Sequence, residues 1–142
     1  FPIENSNIQP ENIPLKIIYE DDYYIIIDKE SQMPCIPTKR YQGHTLCHAL
    51  MYYYQQIGLK STIHLVNRLD KETSGYMLVA KTSQAHALLS KDIKQVERVY
   101  HCLVEGILEG EGVIDRPILK VMILLKELLM IMVSMLRRII NL

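Results

Sequence analysis

The sequence predicts an α+β fold, with a mixed, largely antiparallel sheet and flanking helices. Ile- and Tyr-rich runs in residues 15–29, and two apolar runs within residues 64–80, have the composition of strands. Residues 45–58 and 82–93 instead repeat apolar side chains at three- and four-residue spacing, which indicates helices. The chain has 142 residues, of which 49% are hydrophobic, and this is enough to bury one core.

The first two strands lie in the run LKIIYEDDYYIIIDK, residues 15–29. The acidic residues at 20–22 predict a sharp bend between these strands. The prolines in residues 1–14 predict an arm or linker before them. An irregular loop follows the second strand and carries the adjacent cations Lys39 and Arg40. These cations either contact phosphate or are only solvated, and the sequence leaves both interpretations open.

Two helices are predicted from the apolar spacing. The first begins with Thr45 as its cap and ends at Gly58. The second begins with Thr82 or Ser83 as its cap and runs to about Ile93. The three consecutive tyrosines of the first helix point in three directions, so we expect them to pack rather than to stack on bases. The residues expected on the buried faces are Leu46, Ala49, Leu50 and Tyr53 in the first helix and Ala85, Leu88 and Leu89 in the second.

The candidate site is the polar segment inside HLVNRLDKETSGYMLVAK, residues 64–81. It separates two strand-like runs. Such a segment is either a solvated surface loop, in which an Arg–Asp pair contributes little, or a site held rigidly at the end of a strand. In the second interpretation Asp70 is the expected catalytic residue. The polar side chains of the segment are Arg68, Asp70, Lys71, Glu72, Thr73 and Ser74.

This segment resembles the signature of an enzyme family. Its pattern H-x-x-x-R-L-D-x-x-T-S-G-x-x-L-x-A-K is similar to that of RNA pseudouridine synthases of the large-subunit ribosomal type, the RluA/RluD family. The resemblance covers about residues 13–118 and implies the pseudouridine synthase catalytic fold. Asp28-Lys29-Glu30 departs from the family's N-K-P, and Gln32 replaces a glycine. These two changes predict a less constrained loop.

Two later segments also resemble the family. Residues 96–106, VERVYHCLVEG, predict a strand and are similar to the family's K-x-Y-x-A-x-V-x-G. Tyr100 matches the family's active-site tyrosine, although a strand tyrosine is more commonly a core residue. Residues 111–118, EGVIDRPI, resemble the family's next segment, a short strand that ends in D-x-P-I. Asn67 stands where the family usually has His.

The resemblance implies an isomerase that converts uridine to pseudouridine in structured RNA, with ribosomal RNA as the expected substrate. The uridine N1–C1′ bond breaks, the base rotates and C5 joins C1′, a reaction that requires no cofactor and no metal. The Asp70 carboxylate is expected to act on the ribose as nucleophile or base. Tyr100 is expected to stack under the uracil, and Arg68 to fill the gap left by the flipped base. Lys71 and Thr73 are expected to contact the RNA.

The composition bears on the class of protein. Sixteen Lys and Arg residues balance sixteen Asp and Glu residues, which argues against a histone-like RNA binder. Cys35, Cys47 and Cys102 form no CxxC pair and are expected to be reduced thiols rather than disulfides or zinc ligands. The N-terminus lacks the pattern of a secretory signal. We therefore expect a cytoplasmic protein without a membrane attachment or an obligate protein partner.

The last residues, 119–142, differ in character from the rest. They are strongly apolar, hold four of the seven methionines and contain Glu127 as their one acid. Shifting the reading frame by one base permits polar, family-like sequence over residues 121–137. We therefore hypothesise that a frameshift replaced the true C-terminus. The expected organisation is an arm at 1–14, a partial catalytic domain at 15–118 and an aberrant hydrophobic tail after it.

The frameshift hypothesis predicts an impaired enzyme. The family has a basic partner of its catalytic aspartate in a later segment, and this partner would be lost. One alternative is a catalytically inactive RNA-binding remnant of the same family. Another is a small membrane-associated protein, although Lys120, Lys126 and Glu127 would interrupt a membrane span.

Overall fold

A four-stranded sheet and two helices make up the first of two units in this chain. The units are Phe1–Arg98 and Val99–Leu142. The computed structural model describes residues 8–103, 105–107, 109–110, 112–114 and 138–140. The predicted α+β class with a largely antiparallel sheet is confirmed.

The sheet has the strand order β1-β2-β4-β3, and each neighbouring pair is antiparallel. Its strands are β1, Ile17–Glu20, β2, Tyr24–Lys29, β3, His64–Leu65, and β4, Gly75–Ala80. The predicted bend between β1 and β2 is confirmed. A carboxylate oxygen of Asp21 accepts hydrogen bonds from the backbone N–H groups of Tyr23, at 2.7 Å, and Tyr24, at 2.9 Å. An aspartate that binds the backbone two residues further on stabilises a tight turn.

The core combines one face of the sheet with helix α1, Leu46–Gln56. Side chains alternate across a strand, so Ile25 and Ile27 of β2 point to the same face and lie opposite Val79 and Met77 of β4. All four are buried in one cluster with residues of the helix. The buried residues of α1 are Leu46, Cys47, His48, Ala49, Leu50 and Tyr54.

The ends of α1 follow the prediction only in part. Thr45 occupies the N-cap position, but its hydroxyl makes no capping bond to the helix backbone. It lies 2.7 Å from Nδ1 of His48, and both residues are buried. A buried imidazole nitrogen requires a hydrogen-bond partner, and it takes the hydroxyl that the cap would otherwise use. Gly58 ends the helix as predicted, with a φ of +69° that glycine adopts at low cost.

Helix α2 comprises Ser83–Asp92. Its predicted cap is confirmed, because the Thr82 hydroxyl accepts a hydrogen bond of 3.1 Å from the Ala85 N–H. The predicted buried face is confirmed only in part, since Ala85 is buried, Leu89 is half-buried and Leu88 is 70% exposed. Among the described strands, α2 packs against β3 and β4. Neither helix of the described ranges is long and apolar enough to span a bilayer.

The predicted tyrosine packing of α1 needs a similar correction. Tyr53, expected on the buried face, is half-buried, and its hydroxyl lies on the rim beside Glu20. Tyr54 is the tyrosine that enters the core, at 1% exposure. The apolar spacing therefore located the helix and its buried Leu46, Ala49 and Leu50 correctly, but it assigned the wrong tyrosine to the core.

The second unit contains a two-stranded antiparallel sheet, β5, Gly112–Ile114, paired with β6, Arg138–Ile140. The first of these strands confirms the short strand predicted within residues 111–118. The predicted strand over residues 96–106 is wrong, because its described residues are irregular. A strand requires a paired neighbour, and none of β1 to β6 pairs with this run. The predicted tail at 119–142 lies outside the described residues, apart from β6.

Candidate active site

The loop that joins β3 to β4 carries Asp70, and we call residues 66–74 the Asp70 loop. Its first residues remain attached to β4. The Val66 N–H donates a hydrogen bond of 2.9 Å to the Leu78 carbonyl, and the Asn67 side-chain oxygen accepts one of 2.7 Å from the Leu78 N–H. The side chain of Asn67 thus continues the pattern of the sheet, and the chain leaves it only after this residue.

Beyond Asn67 the side chains alternate between solvent and core. Arg68 and Asp70 are exposed, whereas Leu69 between them packs against the core cluster. The Thr73 N–H then donates a hydrogen bond of 3.2 Å to the Asp70 carbonyl, which closes a turn. Arg68 and Asp70 are therefore both open to solvent, on either side of a residue that packs against the core.

Three side chains, from the end of β2 and the segment after it, hold the backbone of the Asp70 loop. Each donates a hydrogen bond to a backbone carbonyl of the loop. The pairs are the Cys35 thiol with Leu69 at 3.0 Å, the Lys29 ammonium with Lys71 at 3.2 Å and the Ser31 hydroxyl with Glu72 at 2.7 Å. Together with the turn at Thr73, these bonds satisfy the carbonyls of four successive residues, 69–72. The backbone around Asp70 is therefore fixed at every residue, although the Asp70 side chain is exposed.

Lys29 is the central member of these donors. Its side chain is 1% exposed, and its ammonium also donates to the carbonyls of Glu30, at 2.8 Å, and Met33, at 2.9 Å. Burial lowers the pKa of Lys29 from its ordinary value, and the nearby Cys35, Glu72 and Asp70 act in the opposite direction. A buried ammonium is tolerated where its hydrogen bonds are satisfied, and here three carbonyls satisfy them. Lys29 thus joins the end of β2 to the Asp70 loop.

The sequence matches a known family of enzymes. A family model described as RNA pseudouridylate synthase matches residues 23–134. The chain belongs to the RNA pseudouridylate synthase family.

Individual relatives give the same assignment. The Bacillus subtilis protein named Uncharacterized RNA pseudouridine synthase YjbO is 38% identical over 123 residues, which cover 83% of this chain and 44% of that protein. Ribosomal large subunit pseudouridine synthase D of Nitrosomonas europaea is 43% identical over 112 residues, 78% of this chain and 33% of that protein. The protein of the same name from Pseudomonas aeruginosa is 38% identical over 110 residues, covering 76% and 34%. The chain spans less than half the length of these relatives.

Four of the site residues predicted for this pseudouridylate synthase chain lie together in the Asp70 loop. Arg68 and Asp70 are exposed, and Lys71 and Thr73 are half-buried. Tyr100, the fifth, belongs to the second unit and is 44% exposed. Its action together with Asp70 stays a prediction.

Sequence analysis missed the residues that hold the loop. Lys29 was noted only as part of a segment that departs from the family's N-K-P, and Cys35 only as a reduced thiol. Ser31 was not noted at all. These three donors reach carbonyls 34 to 42 positions away, so they leave no periodicity or local motif. The position of Lys29 in the family-like segment is the one feature that pointed to this function.

Two departures from the family pattern can be placed in the structure. Gln32, where the family has glycine, has a φ of +67°, in the left-handed region that glycine adopts readily. The backbone there keeps a glycine-like conformation despite the side chain. Asn67, where the family usually has His, uses its oxygen to bind Leu78 and its amide nitrogen to approach the Tyr76 carbonyl at 3.4 Å. Asn67 therefore has a structural role at the start of the Asp70 loop.

Proposed function

We propose that this chain carries the aspartate-bearing part of an RNA pseudouridine synthase that isomerises uridine to pseudouridine in structured ribosomal RNA. Family membership supports the reaction, and the names of the two ribosomal large-subunit relatives support the substrate. The observation that carries the proposal is the Asp70 loop, whose backbone is held at residues 69–72 while its carboxylate faces solvent. A fixed backbone beneath an exposed catalytic group is what positioning of a substrate requires.

In the proposed reaction Asp70 acts on the ribose, either as a nucleophile at C1′ or as a base at C2′. The N1–C1′ bond breaks, the uracil rotates and C5 bonds to C1′; the C5 proton leaves and N1 takes up a proton, so that product and substrate are isomers. Arg68, exposed two residues before Asp70, occupies the space of the flipped base. Lys71 and Thr73 contact the RNA, and Tyr100 stacks on the uracil.

We also propose that the chain acts in the cytoplasm, where ribosomal RNA is modified. Its three cysteines are free thiols, of which Cys35 and Cys47 are buried and Cys102 is exposed. Free thiols are usual in a reducing compartment.

The test is tritium release from a ribosomal RNA transcript labelled at uridine C5. Asp70→Asn keeps the size of the side chain and removes its charge, and Asp22→Asn makes the same change at an exposed acid of the β1–β2 turn. We expect slow but measurable release from the parent chain and from Asp22→Asn, as for an impaired enzyme, and none from Asp70→Asn. Equal release from all three, or no release from a folded parent chain, contradicts the proposal. RNA binding without release would favour the inactive RNA-binding remnant.

A further inference from the structure

A tight turn lies beside the Asp70 loop and exposes two cations. The Thr38 N–H donates a hydrogen bond of 2.8 Å to the Tyr41 carbonyl. The Tyr41 N–H returns bonds to the Thr38 carbonyl, at 3.1 Å, and hydroxyl, at 3.2 Å. Lys39 and Arg40 occupy the tip between these residues, and both are exposed. We call residues 38–41 the basic turn; three hydrogen bonds close it, so its tip has a defined direction.

Tyr41 connects the basic turn to the Asp70 loop. The Lys71 ammonium donates a hydrogen bond of 3.3 Å to the Tyr41 hydroxyl and lies 5.1 Å from the centre of its ring. The Arg40 guanidinium carbon lies 5.5 Å from the centre of the same ring. Cations at this distance from an aromatic ring are attracted to it. Tyr41 therefore contacts one cation from each loop.

These cations have no acidic partner among the residues that the structure describes. Both are restrained by the ring of Tyr41 and not by an ion pair with a described acid. An arginine held in this way retains its N–H groups for a ligand and loses little side-chain entropy when it binds. The ion pairs of the described chain lie elsewhere: Lys16–Asp28, Lys81–Glu20, and Glu11 with His44 and His48.

We propose that the basic turn binds backbone phosphates of the substrate RNA next to the target uridine, with Arg40 as the principal ligand. A guanidinium matches a phosphate in charge and in the spacing of its donors. This site is separate from the Asp70 loop. The identification of its ligand as RNA rests on the proposed function. Of the two interpretations of Lys39 and Arg40, it favours phosphate contact, because Tyr41 links Arg40 to Lys71 of the Asp70 loop.

The test measures RNA affinity against salt, independently of turnover. A fluorescein-labelled RNA stem-loop with uridines in its loop is titrated with the full chain at several NaCl concentrations, and anisotropy is recorded. We expect Arg40→Gln to reduce the slope of log affinity against log salt by about 0.7 to 0.9, which corresponds to one phosphate contact and to about fivefold weaker binding near 0.1 M salt. The control is Lys60→Gln, an exposed cation at the opposite end of the sheet from the Asp70 loop.

Two variants of Tyr41 test the connection. Tyr41→Phe keeps the ring and should retain the parent slope, whereas Tyr41→Leu removes the ring and should lower affinity as Arg40→Gln does. A parent-like slope in Arg40→Gln, or an equal loss in Lys60→Gln, overturns this inference and leaves the tritium test of the proposed function unaffected. A parent chain that binds no RNA overturns both. Binding with the expected slopes but without tritium release supports the phosphate site and contradicts the proposed isomerisation.

Discussion

The Ser31 hydroxyl donates a hydrogen bond of 2.7 Å to the carbonyl of Glu72, although the two residues are 41 positions apart in the sequence. This bond ties the segment after β2 to the turn of the Asp70 loop. Both residues are exposed, so the bond adds little to the burial of the fold. The bond instead helps to position Asp70, because it holds the turn that contains this residue.

Ser31→Ala should therefore affect turnover more than stability. We expect kcat for pseudouridine formation to fall about tenfold with KM almost unchanged, because loss of alignment costs rate even when substrate still binds. The midpoint of urea unfolding should move little. Ser31→Thr keeps the hydroxyl and should restore most of the rate. A rate for Ser31→Ala equal to that of the parent chain would show that the other donors, Lys29 and Cys35, position Asp70 without Ser31.

Lys29→Met tests the buried anchor. Methionine fills a similar volume but leaves the carbonyls of Glu30, Met33 and Lys71 without their donor. We expect the free energy of unfolding to fall by about 1 to 3 kcal/mol, the usual cost of unsatisfied buried groups. Urea denaturation followed by circular dichroism measures it.

Lys16→Met is the matched control for Lys29→Met. It breaks an exposed ion pair in which the Lys16 ammonium lies 2.6 Å from the Asp28 carboxylate. Exposed ion pairs contribute little to stability, so the unfolding midpoint should change only slightly. Equal destabilisation by the two changes would mean that the buried hydrogen bonds of Lys29 contribute no more to the free energy of unfolding than the exposed ion pair of Lys16.

The elements that could be predicted from the sequence are those specified by neighbouring residues. The turn at Asp21, the cap at Thr82 and the end of α1 at Gly58 each depend on a few adjacent positions, and each was located correctly. The Asp70 loop was located through its resemblance to a family motif. In all these cases the deciding information lies within a short stretch of chain.

The errors concern properties that depend on distant partners. The spacing of Leu88 is that of a core residue, but the described chain provides no surface opposite it. Residues 96–106 have strand composition, but a strand forms only when another strand pairs with it. Ser31 and Cys35 bind backbone carbonyls 41 and 34 positions away, and carbonyls carry no sequence information. Local patterns cannot predict such contacts.

Gln32→Gly should stabilise the fold. The left-handed backbone at Gln32 costs a residue with a side chain about 1 to 2 kcal/mol, whereas added freedom of glycine in the unfolded chain costs about 0.5 to 1 kcal/mol. We expect a net gain of up to about 1.5 kcal/mol in the free energy of unfolding. Gln42→Gly makes the same change at an exposed loop residue without a positive φ and should destabilise. Destabilisation by both would show that Gln32 has contacts that outweigh its backbone strain.

The acid dependence of stability should depend on Glu20. One carboxylate oxygen lies 2.6 Å from the Lys81 ammonium, and the other accepts a hydrogen bond of 2.5 Å from the Tyr53 hydroxyl. Burial acts to raise the pKa of Glu20, but the bonds from Lys81 and Tyr53 outweigh it and hold this pKa below its ordinary value of 4.5. The same hydrogen bond raises the pKa of Tyr53 to about 12.

Because the Glu20 pKa is lower in the folded chain, the unfolded chain binds more protons in this range. The contribution of Glu20 is therefore fully present above pH 4.5 and is lost as pH falls through the folded pKa below that value. Urea unfolding of the parent chain, measured from neutral pH to below pH 4.5, should show a decline in the free energy of unfolding. Glu20→Gln should be less stable than the parent chain at neutral pH and should show a smaller decline. Glu97→Gln removes an exposed carboxylate outside the ion pairs of the described chain and should keep the parent decline. An unchanged decline in Glu20→Gln would assign the acid dependence to other carboxylates.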